Sequence, residues 1–150
     1  MKKLSRELIN GVIDAFLEKD IDAVLSYFHD NGVLLDPHYP NPEMHGKQAI
    51  RAGLTWGYGN LVKPGFKIVN CWIDGDKAAI EVDTHHIFKG GMDVRFLQVF
   101  IIETHDGKID RIQSFVPYPP PGIGGLITKI TRMAWKLKGL AGFGERTGFF

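Results

Sequence analysis

The sequence predicts an α+β domain in which a curled, mostly antiparallel sheet is wrapped over three N-terminal helices. Apolar residues recur at helical spacing through the first third of the chain, and from Phe66 onward the period changes to two. Glycine-rich turn signals then cut this second stretch into four long strand candidates. Helices first and a meander afterwards exclude a doubly wound parallel sheet, in which strands and helices must alternate.

Leu4, Leu8, Val12 and Phe16, with Ile9 and Ile13 beside them, form one stripe and predict a first helix from about residue 4 to 19. Asp20 suits the N-cap of a second short helix, whose buried face is Val24, Leu25 and Phe28 and which Asn31-Gly32 should end. Gly32 to Asp36 reads as a short strand, and Pro37 biases Asp36 toward an extended conformation by steric conflict with the helical region. A loop from His38 to Met44 leads to a third helix from His45 to about Trp56, weakened by Gly53 and Gly57. Turns at Asp74-Gly75-Asp76, Lys89-Gly90-Gly91 and His105-Asp106-Gly107 separate the strands.

Along Lys77 to Phe88 the even positions Ile80, Val82, Thr84, His86 and Phe88 share one face, expected to point inward, with Glu81, Asp83 and His85 on the other. Along Met92 to Thr104 both faces are largely apolar: Leu97, Val99 and Ile101 on one, Phe96, Phe100 and Ile102 on the other. One face can meet the helices, and the other predicts a second copy of the sheet, hence a homodimer.

The 150 residues, 44% hydrophobic and 23% charged, are enough to bury a core in one domain. Eighteen Lys and Arg against 17 Asp and Glu give no electrostatic footprint for nucleic acid. Cys71 stands alone, excluding an internal disulfide framework or a cysteine-based zinc site. His85 and His86 project to opposite faces and cannot share a metal, and no glycine-rich phosphate loop is present, so no metal or cofactor is expected. Met1-Lys2-Lys3 is followed by Arg6, Glu7, Asn10 and Asp14, which interrupt a secretory apolar core, so a cytoplasmic setting is expected.

Asp20-Ile21-Asp22-Ala23-Val24, Val33-Leu34-Leu35-Asp36-Pro37, His45-Gly46-Lys47-Gln48-Ala49-Ile50 and Asp106-Gly107-Lys108-Ile109, in this order, resemble the SnoaL-like polyketide cyclase and ketosteroid isomerase branches of the nuclear transport factor two superfamily. The resemblance covers roughly residues 4 to 118 and implies a cone-shaped barrel with a pocket for a hydrophobic small molecule. It also places Asp36 at the proton-transferring aspartate of the isomerases. The tyrosine and protonated aspartate with which the isomerases bind the oxyanion fall on Val12 and Val99 here, so that device is missing.

The inward faces predict a pocket in which His86, Arg95, Thr84 and Ser114 join Asp36. Its apolar wall is expected from Val12, Phe28, Leu54, Val82, Leu97, Val99, Ile112 and Val116. Asp36 is the candidate general base, with His86 or Arg95 polarising a carbonyl, epoxide or leaving hydroxyl. Each has a plainer alternative: Asp36 organising the Asp-Pro turn, His86 bonded in the core, and Arg95 paired with Asp93 or Asp83. The chain is thus read as an isomerase, cyclase, dehydratase or epoxide hydrolase, as a binding protein with the same cavity, or as a dimerisation module with a filled one.

After the domain at 1–118, residues 119–150 carry five basic side chains and one acid. A Pro/Gly spacer precedes Leu126, Ile130, Met133, Leu137 and Leu140, at spacings of four, three, four and three, with Lys129, Arg132, Lys136 and Lys138 opposite. This predicts a basic amphipathic helix, docked on its own domain or its partner, or in weak contact with a membrane surface.

Overall fold

The computed structural model describes residues 3–117 and, beyond them, the helical positions Leu126, Lys129, Ile130, Met133, Ala134 and Leu137. The chain divides into two compact units, Met1–Val116 and Pro117–Phe150. The amphipathic helix expected in the second falls largely outside the described residues. No helix among the described residues is long and apolar enough to cross a membrane.

In the first unit, α1 (Arg6–Leu17) starts at Ser5, whose side chain accepts from the Leu8 N–H, and it buries Ile9, Val12, Ile13 and Ala15. Lys19, at φ 57°, turns the chain, and its ammonium donates to the Leu61 carbonyl at 2.6 Å. Asp20 caps α2 (Ile21–Tyr27) by accepting from the Ala23 N–H at 2.9 Å.

Phe28, expected in this helix, instead begins β1 (Phe28–Leu35), so Asn31-Gly32 lies within a strand. Two short strands that the period could not reveal, β2 (Glu43–His45) and β3 (Leu61–Lys63), flank α3 (Gly46–Asn60), which continues past Trp56. Gly53 and Gly57 are a packing notch in α3: a Cβ on Gly53 would collide with the Met44 sulfur, and one on Gly57 would lie 3.1 Å from the Tyr39 ring.

The long strands are β4 (Phe66–Asp74), β5 (Lys77–Phe88), β6 (Asp93–His105) and β7 (Lys108–Phe115). The sheet runs β2-β1-β7-β6-β5-β3, with β4 also on β5, and all pairs are antiparallel except β1 with β7. It is curled but unclosed, so the barrel implied by the resemblance is open, with edges at β2 and along β3 and β4. Ile9, Val12, Val24, Phe28, Ile50, Leu54, Ile80, Val82, Ile102 and Ile109 are buried to within 1% between helices and sheet. At about 1.5–3 kcal/mol for each such side chain, this interface is what holds the sheet in its curl.

Registers decide which strand faces look inward. The β5–β6 turn is a three-residue loop, closed by the Phe88 N–H on the Met92 carbonyl at 2.9 Å, and it pairs His86 with Val94, Thr84 with Phe96 and Val82 with Gln98. Even residues of β5 therefore share a face with even residues of β6, and the next hairpin continues the parity by pairing Phe100 with Ser114. Leu97, Val99 and Arg95, expected inside, lie on the outer face.

Candidate functional site

A cavity of about 320 Å³ lies inside the first unit. Val12, Ile13 and Phe16 of α1, Leu34 of β1 and Ile112 of β7 line it together with Phe66, Phe88, Val94, Phe96, Phe100 and Ile102 of the long strands. Trp56 and Met92 also line it while remaining 50% and 58% exposed, which puts them at its mouth. Asp36, His38, Tyr39, Tyr58, His86, Gln98 and Asn60 carry the polar groups.

Asp36 follows β1 directly, and the loop after it is closed by its own N–H on the Pro42 carbonyl at 2.9 Å. Its Oδ1 accepts from the His38 backbone N–H at 2.9 Å and from the His38 ring Nδ1 at 2.8 Å. The backbone bond is the turn-organising role anticipated as the plainer alternative. It uses one oxygen only: no hydrogen bond among the described residues uses Oδ2.

His86 projects inward from β5. Its Nδ1 accepts from the Gly65 N–H at 3.2 Å, and because a backbone N–H can only donate, the neutral ring must carry its proton on Nε2. Phe66 meets the imidazole edge-on at a centroid distance of 4.9 Å, with Phe88 at 6.1 Å and Phe96 at 6.5 Å. This apolar enclosure disfavours the imidazolium and, helped by the charge of His38, brings the His86 pKa down to about 4 against the pull of Asp36. At neutral pH His86 is an uncharged N–H donor. Tyr39 and Tyr58 are likewise kept as neutral phenols, their pKa values raised by burial first.

Among the expected pocket residues, Asp36, His86, Val12 and Ile112 line the cavity. Arg95 does not: its guanidinium pairs with the Asp83 carboxylate at 2.6 and 3.1 Å on the outer face, as the register requires. Leu97 and Val99 are displaced with it. Thr84 and Ser114 do face inward, but their hydroxyls are occupied by Gln98, whose amide donates to Thr84 Oγ1 at 2.6 Å and accepts from Ser114 at 2.7 Å. Phe28, Leu54 and Val82 are fully buried core residues behind the wall, and Val116 does not reach it.

Sequence reasoning missed His38, Tyr39, Trp56, Tyr58, Phe96 and Gln98. Gln98, a lone amide on an otherwise apolar strand face, was the available signal for the β6 parity. Among the described residues no group of three or more His, Cys, Asp or Glu could hold a metal ion.

Among solved structures, a hypothetical protein from Catenulispora acidiphila with a ketosteroid isomerase-like fold, solved with trimethylamine, is similar at a TM-score of 0.69 and 17% identity, over 77% of this chain and 89% of that one. A protein assigned as a SnoaL-like polyketide cyclase from Shewanella denitrificans gives 0.69 at 15% identity, over 85% and 96% of the two chains. One assigned as a polyketide cyclase from Sinorhizobium meliloti gives 0.63 at 21%, over 74% and 95%. At these identities the likeness shows the fold. No curated protein matches the chain. The model of the SnoaL-like domain matches residues 9–112, most of the first unit, and the chain belongs to the SnoaL-like family.

Proposed function

We propose that this chain is a cofactor-independent enzyme that moves a proton on a hydrophobic, ring-containing substrate, in an isomerisation or ring closure. The observation that carries the reading is a carboxylate and an uncharged imidazole N–H lining one largely apolar cavity. Asp36 Oδ2 takes a proton from a carbon next to a carbonyl, and the electron pair moves onto the carbonyl oxygen. His86 Nε2–H donates to that oxygen as its charge develops. Return of the proton to another carbon completes an isomerisation, and attack of the carbanion on a second carbonyl, whose oxygen then takes the proton back from Asp36, completes a cyclisation.

His38 holds Asp36 in place through Oδ1 and leaves Oδ2 for the reaction. Val12 lines the cavity where the resemblance would put the isomerase tyrosine, while Val99 lies on the outer face and holds no position in the cavity, so His86 is the donor we assign to the oxyanion, worth about 3 kcal/mol for one well-placed donor. The polyketide cyclase assignments of the Sinorhizobium and Shewanella proteins support a polyketide-like substrate. The test is turnover and binding of a panel of ring ketones by wild type and Asp36→Asn. Turnover should fall about 10²–10⁴-fold with binding largely kept; equal turnover by both proteins defeats the reading, and binding without turnover by either identifies a carrier.

We further propose that a second copy of the chain covers the outer sheet face. Leu97, Val99 and Ile101 stay half-buried there, beside Trp72 and Phe115 at 58% and 51% exposure. Ion pairs Arg95–Asp83 and Arg111–Glu103 accompany them on the same face, the mixture of apolar centre and balanced charge that a self-complementary surface needs.

A further inference from the structure

Pro64 and Gly65 join β3 to β4 without leaving the side of β5. Lys63 pairs with Ile87 before them and Phe66 with Thr84 after them, which sets Pro64 opposite His86 and Gly65 opposite His85. The His85 N–H donates to the Gly65 carbonyl at 2.9 Å. In a regular antiparallel ladder such a pair exchanges both bonds, and the Gly65 N–H would return to the His85 carbonyl. Here it donates instead to His86 Nδ1 at 3.2 Å. A backbone amide has left the ladder for a side chain that lines the cavity.

Glycine is what permits this. A Cβ at position 65 would collide with the His85 carbonyl oxygen and lie 3.2 Å from its carbon. That carbonyl belongs to a strand held on both sides, by β4 and by β6, and cannot swing away as a side-chain tip can. A residue with a side chain would have to lift off β5, and its N–H would go with it.

Resting on the reading of His86 as the donor to the developing oxyanion, we propose that Gly65 is the positioning residue that makes it one. The imidazolium needs a hydrogen on both ring nitrogens, so protonating His86 would set Nδ1–H against the Gly65 N–H and break the bond. The Gly65 amide thus reserves Nε2 for the proton and restrains rotation of the ring. It acts beside the other groups around His86. Phe66 of β4, Phe88 of its own strand and Phe96 of β6 bring rings without charge, His38 and His85 oppose the imidazolium, and Asp36 favours it. The Gly65 bond distinguishes between the two nitrogens, which enclosure does not.

The experiment is NMR of the full, unliganded chain labelled with 15N. In wild type at neutral pH, His86 should carry its proton on Nε2, and a scalar coupling should run from the Gly65 amide nitrogen through the hydrogen bond to Nδ1. On acidification the Gly65 amide resonance should shift with the same midpoint as His86. In Gly65→Ala the coupling should vanish and the His86 midpoint should rise by about half to one pH unit, the effect of losing one hydrogen bond to the neutral form. Gly59→Ala, whose new Cβ meets nothing within 4 Å, should change neither. If Gly65→Ala does not fold, the wild-type coupling, tautomer and shared midpoint decide. Turnover of the ring ketones separates the two readings: none by wild type removes the enzymatic role while the hold of Gly65 on His86 stands, and with turnover Gly65→Ala should lower kcat and largely keep KM. The proposal is overturned by a wild-type ring protonated on Nδ1, by a Gly65 amide that ignores the protonation of His86, or by a folded Gly65→Ala with an unchanged midpoint.

Discussion

The uncharged state of His86 can be tested through stability. The folded protein holds this imidazole at about 4, against 6.5 when unfolded, so between those values the unfolded chain binds the extra proton. The folded pKa is depressed for a base. Stability is therefore fully present above pH 6.5 and is lost as pH falls toward 4. Between pH 7.5 and pH 5 the two values correspond to a loss of about 2 kcal/mol, and nearer 1 once water at the cavity mouth screens the charge. Carboxylates such as Asp83 and Glu103, lowered by their arginine partners, lose their own stabilisation only at lower pH and are common to wild type and variant. The perturbation is His86→Gln, whose amide oxygen can still accept from Gly65 and never ionises. Urea unfolding of both proteins at pH 7.5, 6 and 5 should show wild type losing about 1–2 kcal/mol more than the variant over that range. Parallel curves would mean that the imidazole takes up its proton as easily folded as unfolded, and the neutral-donor role would fall with it.

Gln98→Leu should destabilise the protein by about 2 kcal/mol in urea melts, because it strips the partners from the buried Thr84 and Ser114 hydroxyls. A change below about 0.5 kcal/mol would show that the hydroxyls find other partners. Val99→Asp, on the outer face, should convert a dimer into a monomer by sedimentation while leaving ligand binding intact; unchanged sedimentation would remove that face as the interface. The basic C-terminal segment, with Leu126, Ile130, Met133 and Leu137 exposed at 52–82%, should carry the full chain onto vesicles containing anionic lipid at low salt and release it at about 0.5 M salt. Failure to co-sediment at any salt concentration would exclude this contact.

The helices were legible because their signals are local. Leu8, Val12 and Phe16 give the stripe of α1, and Asp20 names the start of α2 four residues before Val24 is buried. The break at Phe28 was hidden because that residue satisfies both readings: it continues the apolar face of α2 by spacing, yet as the first residue of β1 it buries completely through its pairing with Ile109. A parallel pair joining β1 to β7 across some 80 residues leaves no local trace.

The site was legible where one strand carried its own polarity and illegible where two registers were both acceptable. In β5 the charged residues Glu81, Asp83 and His85 fix the outer face, so His86 could be placed inside from the sequence alone. In β6 both faces are apolar, and the choice between Arg95, Leu97 and Val99 or Phe96, Gln98 and Phe100 hangs on whether the Lys89-Gly90-Gly91 loop holds two residues or three. One residue of loop length moves an arginine out of the cavity and a phenylalanine in. That single difference changes the chemistry: with Arg95 inside, a permanent cation would compensate Asp36 and favour an anionic ligand, whereas with Phe96 inside no arginine or lysine among the described residues lines the cavity. It is also why the enclosure of His86 matters, since the phenyl ring that replaces Arg95 is one of the three that keep the imidazole neutral.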